Sequence, residues 1–417
     1  MASPAAEGAE DPTAQEAPHM RPTRSRAALI GSAVLVAGCS STVAGSAQPA
    51  GAGPFTEITG RLDLATVDDT LDLYDVAATP DGSYVGLLTG NLGTANRQGS
   101  VLVELLPSGG GLTVGRVTEG AAYAGDGLGG EVYVAADGTV VALGPVVSAD
   151  GAGFDLAVTL LPAGAEQVDV ALVAPDPDLG TPDEGTGVLS ADGTTLYASL
   201  RWEVEVDRYV NRLAAIDVAT GELVASEQVQ VETDGVAVVY ELALRPDGGV
   251  VALVQNTRDR TGAESGAQLV EYDADLQPVG DPVEVLPDES YDLGETFEVL
   301  PDGTAVVALR VDEDGADHRL VTVRDGEALV GTAIPGKAWD VVVDAAGRHA
   351  YVNHTREENG AAVATVDLTT GEVVADVVLC DGLGTGAELA LAADGSSLAA
   401  RAECPGGAEA DPLFLLG

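Results

Sequence analysis

From Phe55 onward the chain alternates short apolar runs with turns built from Asp, Gly, Pro and Ser, a pattern of many short strands and not of helices. One unit recurs along it: an apolar strand, a Pro/Ala-Asp-Gly turn and a second apolar strand. It occurs at Pro80-Asp81-Gly82, Ala136-Asp137-Gly138, Ala191-Asp192-Gly193, Pro246-Asp247-Gly248, Pro301-Asp302-Gly303, Ala345-Ala346-Gly347 and Ala393-Asp394-Gly395, seven copies in all. The turn glycines lie 56, 55, 55, 55, 44 and 48 residues apart, a length that suits one four-stranded blade with its loops. In each turn Pro presets φ, Asp hydrogen-bonds its own backbone and Gly takes the left-handed position that closes the hairpin. Each copy therefore joins an inner strand A to a strand B. Blade six shows the whole cycle, with A at Asp340 to Val343, B at His349 to Asn353, C at Ala362 to Asp367 and D at Val373 to Val378.

The two ends of the repeat region bear on closure, because a propeller seals its ring or leaves an open edge. After Gly395 only a B strand (Ser397 to Ala402) and a short C strand (Leu413 to Leu416) remain, so blade seven lacks its outermost strand. Before the first turn there is one spare strand, Phe55 to Leu64. The expectation is an all-β, seven-bladed β-propeller over residues 55–417, with 28 strands and a ring closed by the N-terminal strand.

Val366-Asp367-Leu368-Thr369-Thr370-Gly371-Glu372-Val373-Val374 and Ile216-Asp217-Val218-Ala219-Thr220-Gly221-Glu222-Leu223-Val224 resemble the C–D hairpin of YVTN-type propeller repeats, and Tyr351-Val352-Asn353-His354 resembles that family's B-strand signature. The likeness is close in blades three and six and loose elsewhere. Asn and His stand where the signature has Thr and Asn, and blades one to five are longer than the usual repeat. The resemblance implies the fold; it implies no activity, since fold and function separate readily.

Composition adds a constraint. The chain carries 67 acidic against 19 basic residues, a formal charge of −48, with Lys337 the lone lysine. Such a surface repels phosphate backbones and anionic head groups, which argues against nucleic-acid binding and electrostatic membrane docking. Solubility at high salt, compositional bias or an affinity for cations would each account for it.

Arg21, Arg24 and Arg26 precede an apolar run, Ala27 to Ala37, that ends in Leu35-Val36-Ala37-Gly38-Cys39-Ser40-Ser41. This resembles a bacterial lipoprotein signal peptide, which implies lipidation at Cys39 and a location on the extracytoplasmic face of the bacterial cytoplasmic membrane. The run is too short to span a bilayer. Residues 1–38 are the expected signal peptide, and the acids upstream of Met20 point to Met20 as the initiator. Residues 39–54 are mostly Ser, Gly, Ala and Pro with no charge, the composition of a flexible tether.

In a propeller the B–C and D–A loops share the face onto which the A strands open. Seven residues before each turn glycine stand Asp75, Glu131, Thr186, Glu241, Thr296, Asp340 and Glu388. A closed ring would gather these five carboxylates around the channel mouth, where like charges raise each other's pKa. Bound Ca²⁺ would relieve that repulsion, and a hydrated acidic rim is the simpler alternative. Tyr74, Tyr240 and Trp339 precede three of the acids, and Trp202 falls in the expected B–C loop of blade three. Rings and acids together suit a carbohydrate or cationic ligand, or a protein partner, while packing at blade junctions explains the rings equally well. Arg97, Arg201, Arg208, Arg258, Arg260 and Arg356 lie in or beside B–C loops, placed either to clamp a carboxylate or to pair with neighbouring acids.

With Cys39 assigned to lipid, Cys380 and Cys404 remain, and an even pair in an exported chain favours a disulfide. The P-loop-like Gly331 to Lys337 lacks the following hydroxyl and helix, the Gly125 to Gly130 dinucleotide match runs into a strand, and Asp312 to Asp317 lacks EF-hand spacing. His354 is the one histidine expected in a loop of the open face. A monomeric, non-catalytic binding or scaffold module is the leading expectation. A metal-dependent lactonase-like hydrolase or a quinoprotein-like enzyme is the alternative.

Overall fold

The computed structural model describes residues 53–64, 71–92, 97–109, 111–120, 130–149, 154–182, 184–205, 208–229, 236–257, 266–286, 296–310, 318–356, 360–382, 384–404 and 412–417. All belong to the compact unit Ala47–Gly417. The expectations for the signal peptide, Cys39, the tether through residue 52, residues 125–129 and the acidic run 312–317 lie outside the described residues.

Twenty-eight strands, β1 to β28, form seven four-stranded antiparallel sheets, and no α-helix occurs among the described residues. The innermost strands are β2 (Leu71–Ala78), β6 (Glu131–Val134), β10 (Glu184–Leu189), β14 (Val236–Leu244), β18 (Thr296–Val299), β22 (Gly336–Val343) and β26 (Thr385–Leu391). Each contacts the next around the ring, and β26 returns to β2. The architecture is a closed seven-bladed propeller.

All seven turn glycines adopt positive φ, from 64° to 93°. The aspartate before them caps the turn as its chemistry predicts: Asp81, Asp137, Asp192, Asp302 and Asp394 each accept the amide two residues ahead at 2.9–3.1 Å. Blade six has no such aspartate. There Asp344, one residue before Ala345, accepts Arg348 N at 2.8 Å and lies 3.1 Å from His349 Nδ1.

Closure follows the expected route. In blade seven the order from the centre outward is β26, β27 (Leu398–Glu403), β28 (Pro412–Leu416) and β1 (Ile58–Asp63). β1 pairs antiparallel with β28, Ile58 opposite Leu416 and Asp63 opposite Pro412. Leu413, Phe414, Leu415 and Leu416 are all buried, so β1 covers an edge that would otherwise expose both apolar surface and unpaired backbone. The core lies between blades, in clusters such as Leu73, Leu88 and Leu105 of blade one with Ala390, Ala399 and Leu413 of blade seven. Cys380 and Cys404 form a disulfide, with Cα atoms 5.9 Å apart, that ties blade six to blade seven.

Candidate functional site

One position of each inner strand, at the strand's start in blades two and five and farther along it elsewhere, recurs around the mouth. All seven residues aligned by sequence, Asp75, Glu131, Thr186, Glu241, Thr296, Asp340 and Glu388, line one cavity of about 550 Å³. Tyr74, Tyr133, Tyr240, Trp339, Ser199, Arg201 and Asn211 complete much of its wall.

The carboxylates do more than face one another. Asp75 Oδ2 accepts the Val132 amide at 2.7 Å, Glu131 Oε2 the Gly187 amide at 2.9 Å, Glu241 Oε2 the Phe297 amide at 2.7 Å and Asp340 Oδ2 the Leu389 amide at 2.6 Å. In every case the donor is the residue that follows the ring position in the next blade. Thr296 repeats the pattern with its hydroxyl, which accepts Val341 N at 3.3 Å and donates to Asp340 Oδ1 at 3.0 Å. The ring acids are thus clasps between consecutive inner strands. Glu388 differs: its Oε2 accepts Arg401 Nη1 at 2.8 Å, within its own blade.

Two residues along β18, on the same side of the strand, Glu298 forms a second clasp to Val343 N at 2.9 Å. Tyr133 stands two residues beyond Glu131 and donates its hydroxyl to that carboxylate. Neither residue was singled out from sequence. The i+2 spacing from the ring position in a period-two strand is the signal that would have found them.

Enclosure alters the chemistry of these acids. Burial, then the charge of Glu388, drives Asp75 well above the usual carboxylate range. Burial, then Asp340, does the same for Glu241. Glu131 is raised chiefly by burial. Asp340 is pushed up to about 6 and Glu298 to about 7, each chiefly by burial. Asp340 and Glu298 therefore change protonation near neutrality.

The aromatic residues divide. Tyr74, Tyr240 and Trp339 line the cavity. Tyr240 donates its hydroxyl to Gln255 Oε1, and Trp339 Nε1 donates to Thr355 Oγ1 at 2.7 Å. Lys337 Nζ sits 3.9 Å from the Trp339 ring centroid, so this indole already carries an ammonium on one face. Trp202 does not join them. β11 (Thr195–Glu205) extends through it, and the strand alternation turns its indole into the core between blades two and three, where Nε1 donates to Gly180 O at 2.9 Å.

His354 is likewise corrected. β23 (His349–Arg356) runs past it, the side chain is wholly buried, and its Nε2 lies 3.0 Å from Asp376 Oδ1. Of the arginines, Arg201 lines the cavity and Arg356 lies 3.8 Å from Asp376. The side chains of Arg97, Arg208, Arg258 and Arg260 lie outside the described residues. Asp75, Glu131, Glu241, Asp340 and Glu388, expected as Ca²⁺ ligands, line one cavity, and no group of three or more His, Cys, Asp or Glu that could hold a metal ion occurs among the described residues. Four of these acids, Asp75, Glu131, Glu241 and Asp340, each commit one oxygen to an amide of the next blade.

Fold and mouth together define a closed seven-bladed propeller with an acidic, aromatic cavity at one end of its channel. No protein-family model matches the sequence, and no curated protein matches it. Solved structures match the fold. Hydrazine synthase of Kuenenia stuttgartiensis aligns with a TM-score of 0.55 at 15% identity, covering 80% of this chain and 93% of that one. The β-propeller domain of the trilobed protease from Pyrococcus furiosus, reported with an open Velcro topology, aligns at 0.52 and 11% identity over 83% and 95% of the two chains. The acylaminoacyl peptidase of Pyrococcus horikoshii aligns at 0.51 and 13% identity over 82% of this chain and 50% of that one. At these identities the likeness is one of fold alone.

Proposed function

We propose that this chain is a binding module, anchored by lipid at Cys39 to the extracytoplasmic face of a bacterial cytoplasmic membrane, whose cavity takes an organic cation such as an amino sugar, a polyamine or a basic side chain of a protein. One observation carries the ligand class: five carboxylates and the rings of Tyr74, Tyr240 and Trp339 share the wall of a single cavity. A positive charge entering among carboxyl groups whose pKa values burial has raised is met by their ionised form, which it stabilises, and aromatic faces add cation–π attraction and a surface for sugar rings. Glu388 is the ring carboxylate that can be changed without breaking a clasp between blades, since its partner Arg401 lies in its own blade while four other ring acids each hold a neighbouring strand. No observation favours the enzymatic alternative.

Calorimetry of the purified chain against spermidine, choline, glucosamine and glucose tests this reading. Cationic compounds should bind in preference to glucose, and Glu388→Gln should weaken them by about tenfold, the loss of one charge-assisted contact of about 1.4 kcal/mol. Glucose binding as tightly as glucosamine, or no effect of Glu388→Gln and Trp339→Ala on a measurable affinity, would reject the cationic ligand.

A further inference from the structure

The channel holds a second cavity at its other end. It measures about 430 Å³ and is reached past the A–B turns at Pro301, Ala345 and Ala393 of blades five, six and seven. Its wall begins one step beyond the acidic ring. In a strand of period two, the residue two places past each ring position faces the same side. Those residues are Ala77, Tyr133, Val188, Ala243, Glu298, Val342 and Ala390. Five are Ala or Val, and the Tyr133 hydroxyl is committed to Glu131, so this level carries a single carboxyl group in an otherwise apolar circle. Glu298 lines the second cavity together with Ala77, Val342, Ala390, Val299 and Leu391.

Glu298 is only half satisfied. One oxygen accepts Val343 N at 2.9 Å, and among the described residues no second donor reaches the carboxyl group. The charged groups around it are acids. Asp340 of β22 adds repulsion, and Glu241 of β14 stands one level up with an oxygen on Phe297 N. Asp344 and Asp394 share the cavity wall, and no basic residue among the described ones does. Asp344 is taken up by Arg348 N and His349 Nδ1. Asp394 stays ionised beside the entrance, because hydrogen bonds from Ser396 hold it below the usual carboxylate range. Burial, then the charge of Asp340, keeps the Glu298 proton in place up to about pH 7. An ammonium group brought beside Glu298 would supply the missing donor and stabilise the ionised form. A hydrocarbon tail on that ammonium would cover the Ala and Val side chains of the wall.

The geometry points to a second binding site, at the turn end of the channel, for a small amphiphilic amine whose ammonium pairs with Glu298 and whose alkyl chain lies on the apolar wall. This site is independent of the mouth and of any anchoring. Calorimetry of the full chain with propylamine, butylamine, hexylamine and hexanol at pH 6 and pH 8 tests it. Affinity should rise about fourfold per methylene along the amine series. An alkylamine stays protonated at both pH values, so its binding should tighten about tenfold from pH 6 to pH 8 as Glu298 ionises through about 7. Glu298→Gln keeps an oxygen for Val343 N and should weaken hexylamine by at least about tenfold, with the pH dependence lost. Glu388→Gln should leave hexylamine binding in place. No measurable hexylamine binding, or hexanol binding as tightly as hexylamine, overturns the site. Hexylamine affinity that falls with Glu388→Gln and is untouched by Glu298→Gln also overturns it, and leaves the reading of the mouth standing.

Discussion

Replacing Glu298 by Gln should stabilise the protein at pH 8 and leave it unchanged at pH 4. The carboxylate holds Val343 N at 2.9 Å, and burial followed by the charge of Asp340 raises it from 4.5 to about 7. Between those two values the folded chain keeps a proton that the unfolded chain has released. The folded state then binds more protons, so stability falls as pH rises through the window. A shift of that size corresponds to at most about 3.4 kcal/mol at 1.36 kcal/mol per unit. Glutamine keeps an oxygen for the Val343 amide and carries no charge, so its gain should appear from about pH 5 and level off above the folded value of about 7. Asp340, raised to about 6, adds a second contribution of the same sign. Denaturant midpoints for the parent and Glu298→Gln at whole pH values from 4 to 8, with the slope checked for constancy, provide the measurement. A gain equal at pH 4 and pH 8, or a loss at pH 8, would refute the assignment of Glu298 as a buried acid that ionises at the expense of the fold.

The turn aspartates act in the opposite direction. Asp81, Asp137, Asp192, Asp302 and Asp394 have folded values below 3.8, so their contribution is lost as pH falls through those values, and stability should peak at about pH 4–5 in a pH-melting series. Changing Cys380 and Cys404 to Ser opens a loop with a sequence separation of 24. The change should cost about 3.5 kcal/mol in the chain-entropy model, a difference that reductant abolishes. Gly386→Ala places a Cβ 2.5 Å from Asn353 Oδ1 and 2.9 Å from Trp339 Cδ1. It should cost about 1–3 kcal/mol and shift tryptophan emission, since Trp339 must move. Deleting residues 55–64 bares the buried edge of β28, and light scattering should then find oligomers or aggregate in place of a single species.

Much of the fold was legible because its grammar is local. A turn glycine every 44 to 56 residues marks the blades, and the positive φ at all seven shows why Gly stands there. The spare strand at Phe55 to Leu64 pointed to blade seven and is found there, trimmed to Ile58–Asp63. The convergence of Asp75, Glu131, Glu241, Asp340 and Glu388 was legible for the same reason, since one register applied seven times fixes one level of the channel. Their partners were not legible. A sequence does not show that Asp340 meets the Leu389 amide, because that donor is a backbone group 49 residues away with no side-chain signature. Trp202 and His354 were misplaced because strands β11 and β23 run farther than the apolar pattern suggested. The charge-bearing tails Arg201 to Glu205 and His354 to Arg356 read as loop and are strand.

The pairing of β1 with β28 makes the ring a test of its own synthesis. Thr59 Oγ1 donates to the Leu415 carbonyl across 356 residues, so the strand made first has no partner until the last has emerged. Loop closure over such a distance is slow to find and comes late in assembly. A ribosomal stall or a proteolytic nick that removes only Pro412 to Leu416 leaves β1 stranded and β27 with a bare flank. Such a chain should be cut by protease at blade seven faster than the whole one.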